Sequence, residues 1–273
     1  MNSQELNQEN TEGNMHHEDI AKLWEKSQKN FVIEQLLAGK DLQEIIESLS
    51  GFKEAFSQEL DEMDCSDERV PAKKGKKIGF AGQMILAEEN EIDVFVNTYK
   101  KKIKSVASHD DCGAAGIKFE ELRQNGKLPE GINNGDELGI LHSKKMVEKL
   151  GAEWIHISKN EMSSDIHDAR AICFDGTAKF NPVIIEKMPS HYVCSAPGFG
   201  LSKEYCQFEL ETLIGKVAFG KHAFGDYFTP EAPFYIFVSA YDQDRLDVLM
   251  EWARESVDEF GDRVEVKGFL VPK

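Results

Sequence analysis

The class of fold is indicated most clearly by residues 88–113, with the sequence EENEIDVFVNTYKKKIKSVASHDDCG. Apolar residues three and four positions apart predict an amphipathic helix over residues 88–102. Residues 103–108, with Val106 at their centre, predict a short strand, and the chain leaves this strand through polar residues that begin at His109. A helix that leads into a strand with a polar exit is typical of a parallel α/β sheet.

The same alternation of helix and strand continues along the chain. The sequence predicts further elements in the order helix 135–150, strand 154–157, strand 171–174, strand 234–240, helix 242–260 and strand 264–271. The sequence shows no internal repeat and no Pro- or Ser-rich linker in this part. We therefore expect residues 61–273 to form a single α/β domain, with a mainly parallel central sheet flanked by helices.

The N-terminal part differs from the body in composition. Residues 1–18 have hardly an apolar side chain, which predicts a disordered acidic tail. Residues 19–60 have apolar residues at helical spacing, with breaks near Gly39 and Gly51, which predicts a helical arm. Residues 1–62 hold fourteen acidic and five basic side chains, a net charge of −9. We expect these helices to expose an acidic face and to pack on the body or on a partner subunit.

The composition excludes several classes of protein. The 273 residues include 32 basic and 49 acidic side chains, a formal net charge of −17, and so acidic a surface repels the phosphate backbone of nucleic acids. No run of about 18 apolar residues occurs, and the first residues are neither basic nor apolar, so we expect a soluble cytoplasmic protein. An odd number of cysteines, five, fits a reducing compartment better than a set of disulfides.

Two short motifs carry the chemistry. The first is Cys65-Ser66-Asp67-Glu68-Arg69-Val70-Pro71, and the second, at the exit of the strand over 103–108, is His109-Asp110-Asp111-Cys112-Gly113-Ala114. His109 and Cys112 follow the same strand end closely enough to face one centre. Cys65 can add a third ligand from a neighbouring strand end, because the carboxyl ends of parallel strands meet at one edge of a sheet.

Two thiolates and one imidazole form a ligand set that suits zinc. Three protein ligands leave the fourth tetrahedral position for water or substrate, as in catalytic sites, whereas four protein ligands close a structural site. Asp67 can accept a hydrogen bond at this open position while Arg69 holds its carboxylate through charge-assisted hydrogen bonds. If Arg69 released the carboxylate, Asp67 could itself take the fourth position.

Together the two motifs resemble those of the β-class carbonic anhydrases. That family combines a Cys-x-Asp-x-Arg motif, usually within Cys-Ser-Asp-Ser-Arg-Val-Pro, with a strand that ends in His-x-x-Cys-Gly-Ala. This chain has both motifs in that order within residues 65–116, with a predicted helix between them. The resemblance implies a β-carbonic-anhydrase-like fold and a homodimer or a higher even oligomer. Because the chain after Gly151 departs from the family pattern, the resemblance is to a divergent branch.

The resemblance also implies a role for individual residues. The metal ligands would be Cys65, His109 and Cys112. The catalytic pair would be Asp67 and Arg69, and Gly113 and Ala114 would line the substrate pocket. The reaction implied is the reversible hydration of CO₂ to bicarbonate, in which a metal-bound hydroxide attacks carbon. The cadmium-using relatives of the family share the ligand pattern, so Cd²⁺ is an alternative to Zn²⁺.

The chain departs from the family pattern at several positions. The serine inside the first motif is replaced by Glu68. The family glutamine that helps to bind substrate has an approximate counterpart in Gln58, which lies too close to the first cysteine to take over that role. Residues 60–64, which precede Cys65, are more polar than the family's first strand, so we expect that strand to be short or shifted.

Other functions remain open at this stage. The same metal site could hydrolyse COS or CS₂ instead of hydrating CO₂. Alternatively, the protein could be a non-catalytic, zinc-stabilised binding or assembly protein, with one of Cys173, Cys194 and Cys206 as the fourth ligand. Five further histidines are available to move a proton, namely His142, His156, His167, His191 and His222. No spacing selects one of them, and His167, in a polar loop, is the favoured candidate.

Overall fold

The computed structural model describes residues 19–57, 59–73 and 75–272. The predicted tail over residues 1–18 and Gln58 lie outside the described residues. The predicted α/β class is confirmed: the described strands are flanked by helices, and every pair of named strands is parallel. These strands form two four-stranded sheets where the sequence predicted one central sheet.

The arm consists of three short helices that pack on the same chain. They are α1 (residues 19–28), α2 (Phe31–Leu37) and α3 (Leu42–Glu47). Asn30 and Asp41 cap α2 and α3 by accepting hydrogen bonds from backbone N–H groups of the first turn. The apolar faces of α2 and α3 belong to one buried cluster with aromatic residues of the body, among them Phe180 and Phe269. The arm is therefore anchored to its own chain by hydrophobic burial.

The first sheet carries the two motifs. Its strands are β1 (Glu62–Cys65), β2 (Lys77–Phe80), β3 (Ser105–His109) and β4 (Glu153–Ile157), in the spatial order β2-β1-β3-β4. Helix α4 (Glu89–Tyr99) connects β2 to β3, and α5 (Gly113–Gln124) and α6 (Gly135–Leu150) connect β3 to β4.

The second sheet repeats this arrangement. Its strands are β5 (Ala171–Asp175), β6 (His191–Cys194), β7 (Phe234–Ala240) and β8 (Val264–Leu270), in the order β6-β5-β7-β8. Helix α7 (Lys203–Thr212) connects β6 to β7, and α8 (Gln243–Val257) connects β7 to β8. Although the sequence shows no repeat, the two halves of the body have the same strand order, and helices occupy the corresponding connections, two between β3 and β4 and one between β7 and β8.

The two halves meet at β2 and β6. The backbone N–H of Ser195 donates to the carbonyl oxygen of Gly79 (2.9 Å), and the N–H of Gly79 donates to the Ser195 hydroxyl (3.1 Å). A Cβ atom at Gly79 would lie 2.2 Å from the carbonyl oxygen of Val193, so this position has no room for a side chain. The approach of the two halves therefore depends on glycine at residue 79.

Most elements predicted from the sequence are confirmed within two or three residues. The helix over 135–150 and the strand over 234–240 have the predicted bounds. The strand before Cys65 is short, and all four of its residues are buried, including Glu62 and Asp64. Strands β2 and β6 and helices α5 and α7 were not predicted. Gly215 lies in a π-helical turn over residues 213–218 that continues α7.

None of the helices in the described ranges has the length and apolarity needed to cross a lipid bilayer. All five cysteines are buried and have free thiols.

Candidate metal centre

The three predicted metal ligands come together at the carboxyl end of the first sheet. Cys65 is the last residue of β1, His109 is the last residue of β3, and Cys112 caps the N-terminus of α5. One potential ligand atom from each lies within 4.8 Å of the other two, and all three residues are buried. Between them, Asp111 has a φ of +54°, and this left-handed turn brings His109 and Cys112 to the same side. The group is close enough to bind a metal ion.

The imidazole of His109 is held in the orientation that a metal ligand requires. Its Nδ1 lies 2.7 Å from the carbonyl oxygen of Asp110, to which it donates, so the other nitrogen carries the lone pair. That nitrogen, Nε2, is buried and has no hydrogen-bond partner among the described residues. A buried polar atom without a partner is costly in a folded protein, and a bound cation would remove this cost.

The pKa values of the Cys65 and Cys112 thiols are shifted in opposite directions. A hydrogen bond with Cys112, together with the nearby His109, lowers the pKa of the Cys65 thiol, whereas the same hydrogen bond raises the pKa of Cys112. The N–H of Gly82 also points at the Cys65 sulfur, at 3.4 Å. The site therefore stabilises one of the two cysteines as a thiolate, and a cation is needed to stabilise the second thiolate. This donor set fits a zinc ion.

No other cysteine or histidine joins this group in the described part of the chain. Cys194 donates to a carboxylate oxygen of Glu209 (3.3 Å), and Cys173 belongs to the buried cluster below the arm. Cys206 is buried beside α7, where its sulfur lies 3.8 Å from the carbonyl oxygen of Leu201. The ligand group thus has three members.

Asp67 lies at this centre, held by Arg69. The guanidinium donates to both carboxylate oxygens, with Nε 3.0 Å from Oδ1 and Nη2 2.7 Å from Oδ2, and the backbone N–H of Arg69 donates to Oδ1 (2.9 Å). Although burial acts to raise it, these hydrogen bonds and the charge of His167 hold the pKa of Asp67 well below its usual range. Asp67 therefore stays ionised and can accept a hydrogen bond.

A buried lysine holds the loop that carries this pair. The ammonium of Lys77 donates to the backbone carbonyl oxygens of Asp67 (2.7 Å) and Val70 (3.1 Å). Lys77 lies on β2, opposite Glu62 of β1. The first motif is thus fixed both by its own arginine and by a cation from the neighbouring strand.

A small cavity of about 30 Å³ adjoins the centre, enough for about two water molecules. The first half lines it with Cys65, Asp67, Ala81, Gly113 and Ala114. The second half adds Tyr192, Thr212, Leu213 and Val217, and His167 completes the lining. Both pocket residues expected from the sequence, Gly113 and Ala114, line the cavity. The second half supplies its largely apolar far wall.

His167 is the one histidine outside the motifs that lines this cavity, as far as the described residues show. Its Nδ1 lies 3.0 Å and 3.1 Å from the two carboxylate oxygens of Glu68. By contrast, His142 bonds to the carbonyl oxygen of Gln83 (2.9 Å) and His191 to that of Pro189 (2.6 Å). His156 pairs with Asp110 (3.1 Å). These three histidines have local structural partners.

Several residues of the site were not found from the sequence. Lys77, Tyr192, Leu213 and Val217 belong to no motif and reach the centre through tertiary structure alone. Glu68 could have been noticed in the sequence, because it replaces the serine that the first motif of the β-class carbonic anhydrases has at this place.

Comparison with known proteins adds no relative. No protein-family model, no curated protein and no solved structure matches this chain.

Proposed function

We propose that this protein is a zinc-dependent lyase that catalyses the reversible hydration of CO₂ to bicarbonate. One observation carries the proposal: two cysteines and a histidine converge on a buried point, where His109 Nε2 has no partner, beside a cavity lined by the ionised Asp67. A zinc ion with three protein ligands supplies an activated water at neutral pH through its fourth position.

The residues around the cavity favour such a reaction. The carboxylate of Asp67 accepts hydrogen bonds and is kept from protonating by Arg69, so it can orient a water molecule by accepting one of its hydrogens. Ala114, Leu213 and Val217 present apolar surface, which suits a small, nonpolar substrate such as CO₂. Lys77 keeps the loop of Asp67 in place. Catalysis then depends on positioning within a small, mostly dry site.

The number of protein ligands supports a catalytic site over a structural one. A zinc ion that only stabilises the fold is closed by four protein ligands, and the described residues offer three. The chain's own chemistry does not separate Zn²⁺ from Cd²⁺, since thiolates accept both. Zinc remains the proposed ion, and the metal content of the purified protein identifies it.

Stopped-flow measurement of CO₂ hydration tests the proposal. Zinc-loaded wild type should hydrate CO₂ above the buffer rate at pH 8 and higher. In Asp67→Asn, we expect metal to be retained while activity falls by about 100-fold or more, because the isosteric amide can donate where the carboxylate only accepts. Wild type that contains zinc and still matches the buffer rate would sink the proposal.

Two further measurements separate the alternatives. A sulfide-release assay with COS and CS₂, run beside the CO₂ assay, identifies the preferred substrate. X-ray absorption at the zinc edge counts sulfur ligands: two are expected here, and three would favour a non-catalytic binding or assembly protein with a fourth protein ligand.

A homodimer or a higher even oligomer, located in the cytoplasm, remains the proposed state. The β2 edge of the first sheet already contacts β6 of the same chain, so a second copy would have to use another surface. Sedimentation velocity of the full chain tests this.

A further inference from the structure

A glutamate–histidine pair borders the cavity of the metal centre. Glu68 lies in the loop after β1, and His167 lies in the loop before β5, 99 positions away in the sequence. Their side chains are 3% and 15% exposed, and His167 Nδ1 is in hydrogen-bond contact with both oxygens of Glu68. The ring of His167 also lies against the ring of Tyr192, with centroids 5.9 Å apart.

The hydration of CO₂ needs a group that accepts a proton, since CO₂ and water give bicarbonate and H⁺. Asp67 is poorly suited to this task, because Arg69 donates three hydrogen bonds to its oxygens and holds it ionised. Among the described residues no arginine donates to the side chain of Glu68, whose carboxylate instead contacts the imidazole of His167. The geometry thus gives the two neighbouring carboxylates of the first motif different partners and different chemistry.

We propose that Glu68 and His167 act together as the acceptor of the proton released by CO₂ hydration and pass it to solvent. In this step an O–H bond of water breaks and an N–H bond forms on His167, while Glu68 remains a carboxylate and stabilises the imidazolium. The partly exposed ring then gives the proton to buffer. The proposal rests on the proposed function and names the pair, not a lone histidine, as the relay.

The charges around the pair support this role. Burial, with the charge of Asp67, raises the pKa of Glu68 to about 7. Burial acts to lower the pKa of His167, but the hydrogen bond and charge of Glu68 raise it above its usual value. The other groups that face the pair are Asp67 and Arg69 from the same loop and Tyr192 from β6. Both groups are thus shifted towards their protonated forms, and a coupled pair of this kind can take up a proton and release it.

The same contact also joins two loops, so the test must separate proton transfer from support of the fold. The loop of His167 has other attachments to the first motif: Ser163 N–H donates to the carbonyl oxygen of Arg69 (3.1 Å), and Arg69 Nη1 approaches that of Asp165 (3.4 Å). Because these attachments do not involve either side chain, substitution of the pair should leave both loops in place.

Exchange of ¹⁸O between CO₂ and water, followed by mass spectrometry on the zinc-loaded protein, provides the separation. It yields one rate for CO₂–bicarbonate interconversion and a second for release of labelled water, which requires proton transfer. In His167→Ala and Glu68→Gln we expect the first rate to stay within about twofold and the second to fall about tenfold or more. Imidazole in the buffer should restore water release in His167→Ala.

The matched control is His156→Gln. His156 also pairs with a carboxylate, that of Asp110 (3.1 Å), but it does not line the cavity. Both exchange rates should be unchanged in this variant. Equal water release in wild type, His167→Ala and Glu68→Gln would overturn the role of the pair and leave the proposed function intact, whereas absence of any exchange in wild type would overturn both.

A second readout does not depend on activity. NMR titration of the His167 ring in the zinc-loaded protein should show a lower pKa in Glu68→Gln than in wild type, because the amide cannot stabilise the imidazolium. In Glu68→Asp, which retains a carboxylate, water release should lie between those of wild type and Glu68→Gln. A pKa of His167 that does not respond to Glu68→Gln would contradict the coupling of the two groups.

Discussion

The two halves of the body build sheets of the same order and use their carboxyl edges differently. In the first half, the strand ends and the cap of the following helix carry Cys65, His109 and Cys112. In the second half, β5 ends at Asp175, and α8 is capped by Asp242. Three residues before the helix cap, the first half has His109 and the second half has Ser239. The second half therefore has the same strand order without the candidate metal ligands.

The polar groups at the two edges are satisfied in opposite ways. Asp175 is fully buried and accepts hydrogen bonds from the hydroxyls of Ser239 (2.8 Å) and Thr177 (2.6 Å) and from the N–H of Thr177 (2.8 Å). The first half leaves His109 Nε2 buried and unpartnered. The comparison indicates that one edge is closed for stability, whereas the other is kept open for a ligand.

We expect the strongest effect when the residue that caps the helix at each of the two edges is replaced by serine. Cys112→Ser removes a metal ligand but keeps a good N-cap residue on α5, so we expect zinc affinity to fall by more than about 100-fold and activity with it. Asp242→Ser makes the equivalent change on α8 and should leave the zinc content at the wild-type level. Metal analysis after dialysis measures both, and equal zinc in the two variants would contradict the asymmetry.

The ligands and part of the near wall of the cavity could be predicted from the sequence, but the far wall could not. Cys65, His109 and Cys112 lie in two short motifs next to strand ends, where local pattern is informative. Tyr192 and Leu213 reach the cavity only because the second half folds against the first. That contact depends on the packing of two sheet edges, which leaves no periodic signal in the sequence.

Part of the fold was hidden by residues that break the usual pattern. Strand β1 buries Glu62 and Asp64, so its sequence reads as polar although no residue of the strand is exposed. Glu62 accepts from the N–H groups of Lys73 (2.6 Å) and Gly75 (2.5 Å), which satisfies its carboxylate locally. The π-helical turn after α7 contains Gly215, a residue that usually indicates a turn. Tertiary partners overrode local preference in both places.

The contact between the halves gives the next prediction. Gly79→Ala places a methyl group against the backbone of Val193, so the halves must separate slightly, at a cost of about 1–3 kcal/mol in the free energy of unfolding. Gly116→Ala, in α5, is the control, because a Cβ atom there meets nothing within 4 Å. That substitution should be neutral or stabilise the helix by up to about 1 kcal/mol. Urea denaturation compares the two, and equal stability would argue against this contact.

Glu209 of the second half offers a pH-dependent test of the same junction. Glu209 is 1% exposed, and its side chain accepts a hydrogen bond from the backbone N–H of Ala81. Ala81 precedes Gly82, whose N–H points at the Cys65 sulfur. Burial raises the pKa of Glu209 from 4.5 to about 8. Since the neutral acid is favoured in the folded state, its stabilising contribution is complete below pH 4.5 and is lost as the pH rises towards 8.

Glu209→Gln removes this titration. Relative to the variant, wild type should lose at most about 1.4 kcal/mol of unfolding free energy per pH unit in that window. Urea denaturation at several pH values measures the difference, with both proteins loaded with zinc. Glu204→Gln removes an exposed acidic side chain from the same helix and serves as the control for the loss of one charge. A difference between wild type and Glu209→Gln that does not change with pH would show that the buried acid does not titrate in this range.

The smallest expected effect concerns the wall that the second half contributes. Val217→Ala removes two methyl groups from the lining of the cavity, and we expect kcat/KM for CO₂ to change by about tenfold or less. Because the cavity becomes wider, the rate with the larger CS₂ should rise relative to that with CO₂. Val183→Ala, at a valine that is 67% exposed and lines no described part of the cavity, should leave the ratio unchanged. If Val217→Ala also left it unchanged, the second half would serve as a scaffold without shaping the choice of substrate.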